Sequence, residues 1–246
     1  MTRFIVRAAA IVLGMILLVP LHYLWRLSGR RSPWPRRFLR WVGYASGARV
    51  RIVGTPLHSH VLFLANHVSW LDIMVVADAS GAAFVSKAEV GSWPLIGWLA
   101  SLNNTVFVAR GERRAVRGQA DALRDALASG QPVALFPEGT TEGAREVLPF
   151  RASLLSSLYP PLPGIKVQPV AIDYGDATEE IAWVGAESAG ANAKRVVSRR
   201  GTIPVTLRFL DPIDPAALAD RKALAHAARE QIVAALGASA GAASPL

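Results

Sequence analysis

Five consecutive apolar residues, Val61-Leu62-Phe63-Leu64-Ala65, constrain the fold of this chain most strongly. A half-exposed strand would alternate apolar and polar residues; this run carries no polar residue and reads as a buried strand. Asn66 breaks it, and a helical pattern resumes near Trp70. His67 therefore stands at the C-terminal mouth of a strand, where open α/β sheets place their chemistry. Asp72 follows five residues later, in the first turns of the helix, from where its carboxylate can turn back to the imidazole. A carboxylate on one ring nitrogen fixes the tautomer and raises the basicity of the other, as a general base requires.

The His-x4-Asp spacing is a weak signal alone. The competing reading is a strand-end histidine and a helix-start aspartate with no chemistry between them. A second cluster counts against it: Phe136-Pro137-Glu138-Gly139-Thr140 also follows a buried run, Val133 to Leu135, at its C-terminal end. Further strands are expected at Val50 to Val53, Ala82 to Ser86, Thr105 to Ala109, Val167 to Ile172 and Val205 to Leu210. Val116, Ala120, Leu123 and Leu127 mark a helix stopped by Gly130, and Asp214-Pro215 starts a C-terminal helix reaching Leu236. Strands alternating with helices predict an α/β sheet. Residues 175 to 201, rich in Ala and Gly, read as a surface insertion. The segment Lys87 to Leu102 is apolar and reads either as core or as the lining of an acyl-chain groove facing a bilayer. His58-Ser59-His60 lacks partners at metal-ligand spacing and reads as loop, so no metal site is expected.

Composition narrows the partners. The 246 residues carry a net charge of +9, almost all of the cations being arginine, and 52% are hydrophobic. A basic, apolar chain suits an anionic lipid surface or a nucleic acid. The basic stretch at residues 33 to 45 adjoins an apolar anchor and no nucleic-acid fold pattern follows, so no nucleic-acid partner is expected. Cysteine is absent, so neither a thiolate nucleophile nor an acyl-cysteine intermediate is available.

Residues 8 to 25 are nearly all apolar, at the lower limit for a spanning helix, with Tyr23 and Trp25 as interface anchors. A cleaved signal peptide is the rival reading, but arginines follow instead of a cleavage site. Arg26, Arg30, Arg31, Arg36, Arg37 and Arg40 outnumber Arg3 and Arg7, which places the remainder of the chain in the cytoplasm, on the inner membrane. A half-inserted helix is the alternative. Residues 33 to 45 present Trp34, Phe38, Trp41 and Ala45 at helical spacing and read as an interfacial amphipathic helix or as a helix docked on the core. The expected organisation is membrane-associated helices over 1–48, a catalytic domain over 49–236 and a disordered tail over 237–246. A formal nucleophile elbow in that tail, Gly237-Ala238-Ser239-Ala240-Gly241, follows no strand and is discarded.

Four blocks occur in order: Asn66-His67-Val68-Ser69-Trp70-Leu71-Asp72, Val106-Phe107-Val108-Ala109-Arg110-Gly111, Phe136-Pro137-Glu138-Gly139-Thr140 and Val167-Gln168-Pro169-Val170. Together they resemble the lysophospholipid and glycerolipid acyltransferases, typified by bacterial 1-acylglycerol-3-phosphate acyltransferase, over roughly residues 50 to 210. The resemblance implies a mixed sheet flanked by helices, with an N-terminal membrane anchor. It also implies that His67 is the catalytic base and Asp72 its orienter, and that Arg110, Gly111, Glu138, Gly139 and Thr140 meet the acceptor. No cofactor is implied; an acyl thioester, acyl-CoA or acyl carrier protein, is the co-substrate, and the other partners are a lysolipid acceptor and membrane lipids.

A lipid hydroxyl attacks a thioester only if a base takes its proton. Backbone N–H groups near Gly139 are candidates for the oxyanion, and Arg110 for an acceptor phosphate. The chain departs from the family at Thr141, where an arginine is common, and at Phe150-Arg151-Ala152-Ser153, where Phe-Lys-x-Gly is common. Arg145 or Arg151 could restore the charge. The expected acceptor is 1-acyl-sn-glycerol 3-phosphate, giving phosphatidic acid; lyso-ornithine lipid is the alternative, as is a membrane lipid-binding protein without activity.

Overall fold

The computed structural model describes residues 1–108, 113–143 and 146–242. Along the chain come α1 (Thr2–Arg26), α2 (Trp34–Ser46), β1 (Ala48–Val53), β2 (Val61–Ala65), α3 (Leu71–Ser80), β3 (Ala83–Lys87), α4 (Ala88–Gly91), α5 (Pro94–Leu102), β4 (Val106–Val108) and α6 (Arg113–Ala128). Then follow β5 (Val133–Leu135), β6 (Lys166–Asp173), α7 (Thr178–Ile181), α8 (Ala189–Ser198), β7 (Ile203–Phe209) and α9 (Arg221–Ala242). The strands form one seven-stranded sheet in the order β1-β7-β6-β2-β5-β3-β4. Every pairing is parallel except β6 with β7, so the sheet is mixed.

The apolar run behaves as its composition requires. All five residues of β2 are fully buried, and β2 lies in the middle of the sheet between β5 and β6. Successive side chains point to opposite faces. Val61, Phe63 and Ala65 join one core layer with α3, β7 and the segment from Tyr174 to Val196; Leu62 and Leu64 join the other, with α6, α9 and Leu155 and Leu158 of a short 3-10 turn. Val61, Leu62, Phe63 and Leu64 each contribute roughly 1.5–3 kcal/mol of burial, so a polar residue in β2 has no face to occupy. Because β2, β5 and β6 run parallel, their C-terminal ends open on the same side.

Three expectations are corrected. Residues 175 to 201 are not a surface insertion: Ala177, Ile181, Ala182 and Val196 belong to the core, and Ser188 caps α8 by accepting from the Ala191 N–H. The C-terminal helix does not start at Pro215. Asp214 caps only a 3-10 turn, Pro215–Ala217, and α9 begins at Arg221. That helix continues through residue 242, so most of the supposed tail is helical, with residues 243–246 outside the described part.

The N-terminal helices are docked on the domain. In α2, Phe38 and Val42 are buried, and Arg36 donates to the Asp78 carbonyl at 3.0 Å at the C-terminal end of α3, where carbonyls lack intrahelical partners. The Trp41 indole donates to the Ala10 carbonyl at 2.7 Å, and α1 can approach this closely because position 14 is glycine: a Cβ there would meet the Trp41 ring at 2.3 Å. Helix α1 is long and apolar enough to cross a membrane. It nevertheless touches the domain near both ends. Arg7 donates to the carbonyls of Ser46 and Gly201, and the Tyr23 hydroxyl accepts from the Trp98 indole at 3.2 Å. Beside it, Trp93, Leu95, Ile96 and Trp98 of the Lys87–Leu102 segment are exposed rather than core.

Candidate active site

The chain leaves the sheet after Ala65 without breaking its hydrogen-bond ladder. The Asn66 side chain donates to the Ile172 carbonyl at 3.0 Å and accepts from the Ile172 N–H at 2.8 Å, taking the place of one more strand residue beside β6. The backbone N–H of His67 is thereby free to turn across to the next strand mouth, where it donates to Glu138 Oε1 at 2.8 Å.

Asp72 lies in the first turn of α3, where backbone N–H groups are unpaired and a carboxylate is favoured. Its Oδ2 accepts from the N–H groups of Val68 (2.6 Å) and Ser69 (2.9 Å) and lies 2.8 Å from His67 Nδ1. Its Oδ1 accepts from the Tyr174 hydroxyl at 2.6 Å. A buried carboxylate so placed favours the tautomer with the ring proton on Nδ1, which leaves the lone pair on Nε2. No hydrogen bond holds Nε2 among the described residues, and the His67 side chain is 17% exposed. The ring stacks on Phe136, with centroids 4.0 Å apart and planes 11° off parallel. An imidazole clamped at one nitrogen, packed on one face and open at the other nitrogen can take a proton from a bound hydroxyl.

The second mouth is built differently. Phe136-Pro137-Glu138-Gly139 is a tight turn closed by the Gly139 N–H donating to the Phe136 carbonyl at 3.1 Å, with Gly139 at φ +69°. Of the N–H groups near Gly139 expected as oxyanion candidates, the one on Gly139 itself is thus engaged in the turn. Glu138, expected to meet the acceptor, is 2% exposed and turns both oxygens onto backbone: Oε1 onto His67, and Oε2 onto the Leu148 N–H at 2.9 Å. Burial pushes its carboxyl up to about 7, against the pull of these two N–H groups and of His67. The loop can close over it because position 143 is glycine; a Cβ there would lie 2.5 Å from Glu138 Oε2. The Thr140 hydroxyl accepts from the Glu142 N–H at 3.3 Å. The Arg151 side chain is exposed, while its N–H donates to the Pro137 carbonyl at 2.9 Å. Arg110, Gly111 and Arg145 lie outside the described residues.

Two participants escaped the sequence reading. Tyr174 reaches Asp72 across 102 positions of chain, a distance no local pattern spans. Trp183, in the supposed insertion, donates its N–H to the Val68 carbonyl at 3.0 Å and accepts from the Thr141 hydroxyl, so it joins the loops of the first and third blocks. The only available signals were an aromatic residue in each case: a tyrosine just past the end of a buried strand, and a tryptophan in an otherwise Ala/Gly-rich stretch.

A model of the Acyltransferase family matches residues 49–173. The lyso-ornithine lipid O-acyltransferase of Brucella abortus (strain 2308) is 34% identical over 247 residues, spanning 93% of this chain and 91% of that protein. The 1-acyl-sn-glycerol-3-phosphate acyltransferase of Neisseria gonorrhoeae is 40% identical over 129 residues, but these span 51% of this chain and 50% of that one. The crystal structure of PlsC, the 1-acyl-sn-glycerophosphate acyltransferase of Thermotoga maritima, superposes with a TM-score of 0.68, covering 99% of this chain and 97% of that one at 21% identity; at that identity the likeness speaks for the fold.

Proposed function

The chain belongs to the acyltransferase family and is an O-acyltransferase acting on a lysolipid; from that premise we propose that it acylates the free hydroxyl of a lyso-ornithine lipid, with His67 as general base. The observation that carries the mechanism is the 2.8 Å contact between His67 Nδ1 and a fully buried Asp72. Nε2 takes the proton of the acceptor hydroxyl as its oxygen attacks the thioester carbonyl carbon. The C–O bond forms, the C–S bond breaks, and the imidazolium returns the proton to the departing thiolate. Asp72 holds the ring and stabilises the imidazolium. The donor is acyl-CoA or acyl carrier protein, consumed as a co-substrate, and no acyl-enzyme intermediate is needed.

The choice of acceptor rests on two supports. Similarity to the lyso-ornithine lipid enzyme runs along nearly the whole chain, whereas that to the lysophosphatidate enzyme covers half of it. In addition, Thr141 stands where the family commonly carries an arginine, and its hydroxyl is engaged on the Trp183 carbonyl, so this position offers no cation to a phosphate. Lysophosphatidate, the acceptor expected from sequence, becomes the second reading, with Arg110 as its phosphate partner. Residence at the cytoplasmic face of the inner membrane is part of the same proposal, supported by the apolar α1 and the exposed Trp93, Leu95, Ile96 and Trp98 alongside it.

The test is acyl transfer by the purified full chain, with lyso-ornithine lipid and lysophosphatidate assayed side by side in mixed micelles with each thioester donor. The expected result is a higher kcat/KM for lyso-ornithine lipid by at least about tenfold, a difference of roughly 1.4 kcal/mol in transition-state binding. Equal or better use of lysophosphatidate overturns the acceptor assignment, and full activity in a folded His67→Ala variant overturns the base.

A further inference from the structure

We propose that Tyr174, just past the end of β6, is a positioning residue for acyl transfer: its hydroxyl holds the free oxygen of Asp72 and thereby sets how strongly that carboxylate orients and charges the His67 ring. The inference rests on the reading of His67 as base. Three donors crowd Oδ2 of Asp72: His67 Nδ1, Val68 N–H and Ser69 N–H. Oδ1 has one partner among the described residues, the Tyr174 hydroxyl at 2.6 Å. Without it, half of a fully buried carboxylate would lack a partner among the described residues, and only the contacts at Oδ2 would hold its rotation about χ2.

The tyrosine is built into place. Its ring is 1% exposed and packs in the core layer that holds Leu71 and Ile181. Gly175, at φ +53°, turns the chain immediately after it. Burial and the neighbouring Asp72 carboxylate push the phenol well above its ordinary range, so it remains a donor at any working pH. Packing alone would be satisfied by phenylalanine; the hydroxyl spends its one proton on the carboxylate that faces the base.

The electrostatic consequence has a definite sign. The charged or titratable groups facing His67 among the described residues are Asp72 on α3 and, at the ring's own backbone N–H, Glu138 after β5; Tyr174 acts through Asp72, and Phe136 covers the ring without charge. A donor on Oδ1 spreads the carboxylate's charge away from the ring. Removing it concentrates charge on Oδ2, stabilises the imidazolium, and makes the free base available only at higher pH. It also loosens the ring's orientation, which lowers turnover rather than acceptor binding.

The experiment is Tyr174→Phe in the full-length protein, in the presence and absence of Asp72→Asn. The expected loss is about tenfold in kcat, with acceptor KM changed less than about twofold. The acid limb of the kcat/KM profile should move up by about half a pH unit or more, and the His67 ring titration followed by NMR should move with it. In the Asp72→Asn background the same change should cost less than about twofold, because the carboxylate it acts through is gone. An unmoved acid limb with an undiminished loss in that background overturns the proposal and leaves Tyr174 as packing. Should Tyr174→Phe fail to fold, replacement of the four tyrosines by 3-fluorotyrosine decides instead: its stronger donor must move the ring titration down, and no movement overturns the coupling. The NMR readout needs no turnover, so a failure of the base assignment, seen as an active His67→Ala enzyme, is distinguishable from a failure of Tyr174.

Discussion

Two buried carboxylates reach the same histidine from two strand mouths, and they are held in opposite ways. Among the described residues, Asp72 gathers four donors and touches the His67 ring, while Glu138 gathers two, both backbone N–H groups, and meets His67 at its main chain. The first is ringed by donors and set against the imidazole. The second has fewer donors than its two oxygens can take up, and burial outweighs them, which is why its carboxyl is pushed up to about 7. Burial alone therefore does not tell the two apart; what separates them is the number of donors among the described residues and the atom of histidine each one meets.

The largest expected effect breaks the comparison at Asp72. Asp72→Asn should lower kcat by about 10³–10⁴-fold, as an amide cannot stabilise the imidazolium by charge and presents an N–H to the donors around it. Steady-state kinetics on a variant with a wild-type circular dichroism spectrum checks this; a loss no greater than that of a Glu138 variant would erase the distinction drawn between them.

Glu138→Gln should act mainly on stability. Its NH2 must face either the His67 or the Leu148 N–H, leaving a buried donor unpaired at a cost of about 1–3 kcal/mol, read as a Tm lowered by several degrees. The pH dependence sharpens the point. A carboxyl raised from 4.5 to about 7 by folding binds more protons in the native state, so its contribution to stability is complete below about pH 4.5 and is lost as pH rises through about 7. The wild-type Tm should therefore fall from pH 5 to pH 8 more steeply than that of Glu138→Gln, and parallel curves would mean that Glu138 is ionised throughout.

The smallest effect concerns neither carboxylate. Thr141→Arg should shift acceptor preference toward lysophosphatidate by about tenfold, the lower end of the scale of one charge-assisted hydrogen bond. Competition between the two acceptors in one assay reads this directly. A shift in kcat for both acceptors together would mean that position 141 serves the dyad through Trp183 rather than the headgroup.

Much of this was written locally in the chain. All seven strands fall within a residue or two of their apolar runs, and the His67–Asp72 contact follows from a strand end and a helix start five positions apart. Long-range partners were not legible. Tyr174 and Trp183 meet the site only through the sheet order, and their own neighbourhoods show no periodicity that demands it. The segment 175 to 201 hid its burial because α7 and α8 span four and ten residues, too short to display a helical stripe in an Ala/Gly-rich background. At Glu138 the motif predicts that the residue matters, but a sequence does not show that its carboxylate turns to the N–H groups of His67 and Leu148.

Asn66 has one more consequence. By grafting its amide onto Ile172, two positions before Tyr174, it fastens the start of the His67 loop to the same end of β6 that leads into the phenol. The His67–Asp72 pair is thus surveyed from one benchmark, and that benchmark belongs to a strand carrying neither residue. A small slip of β6 would carry both reference points away together, detuning the site while the protein kept its shape. Damage to the fourth block should accordingly show itself as an intact, membrane-bound and sluggish enzyme.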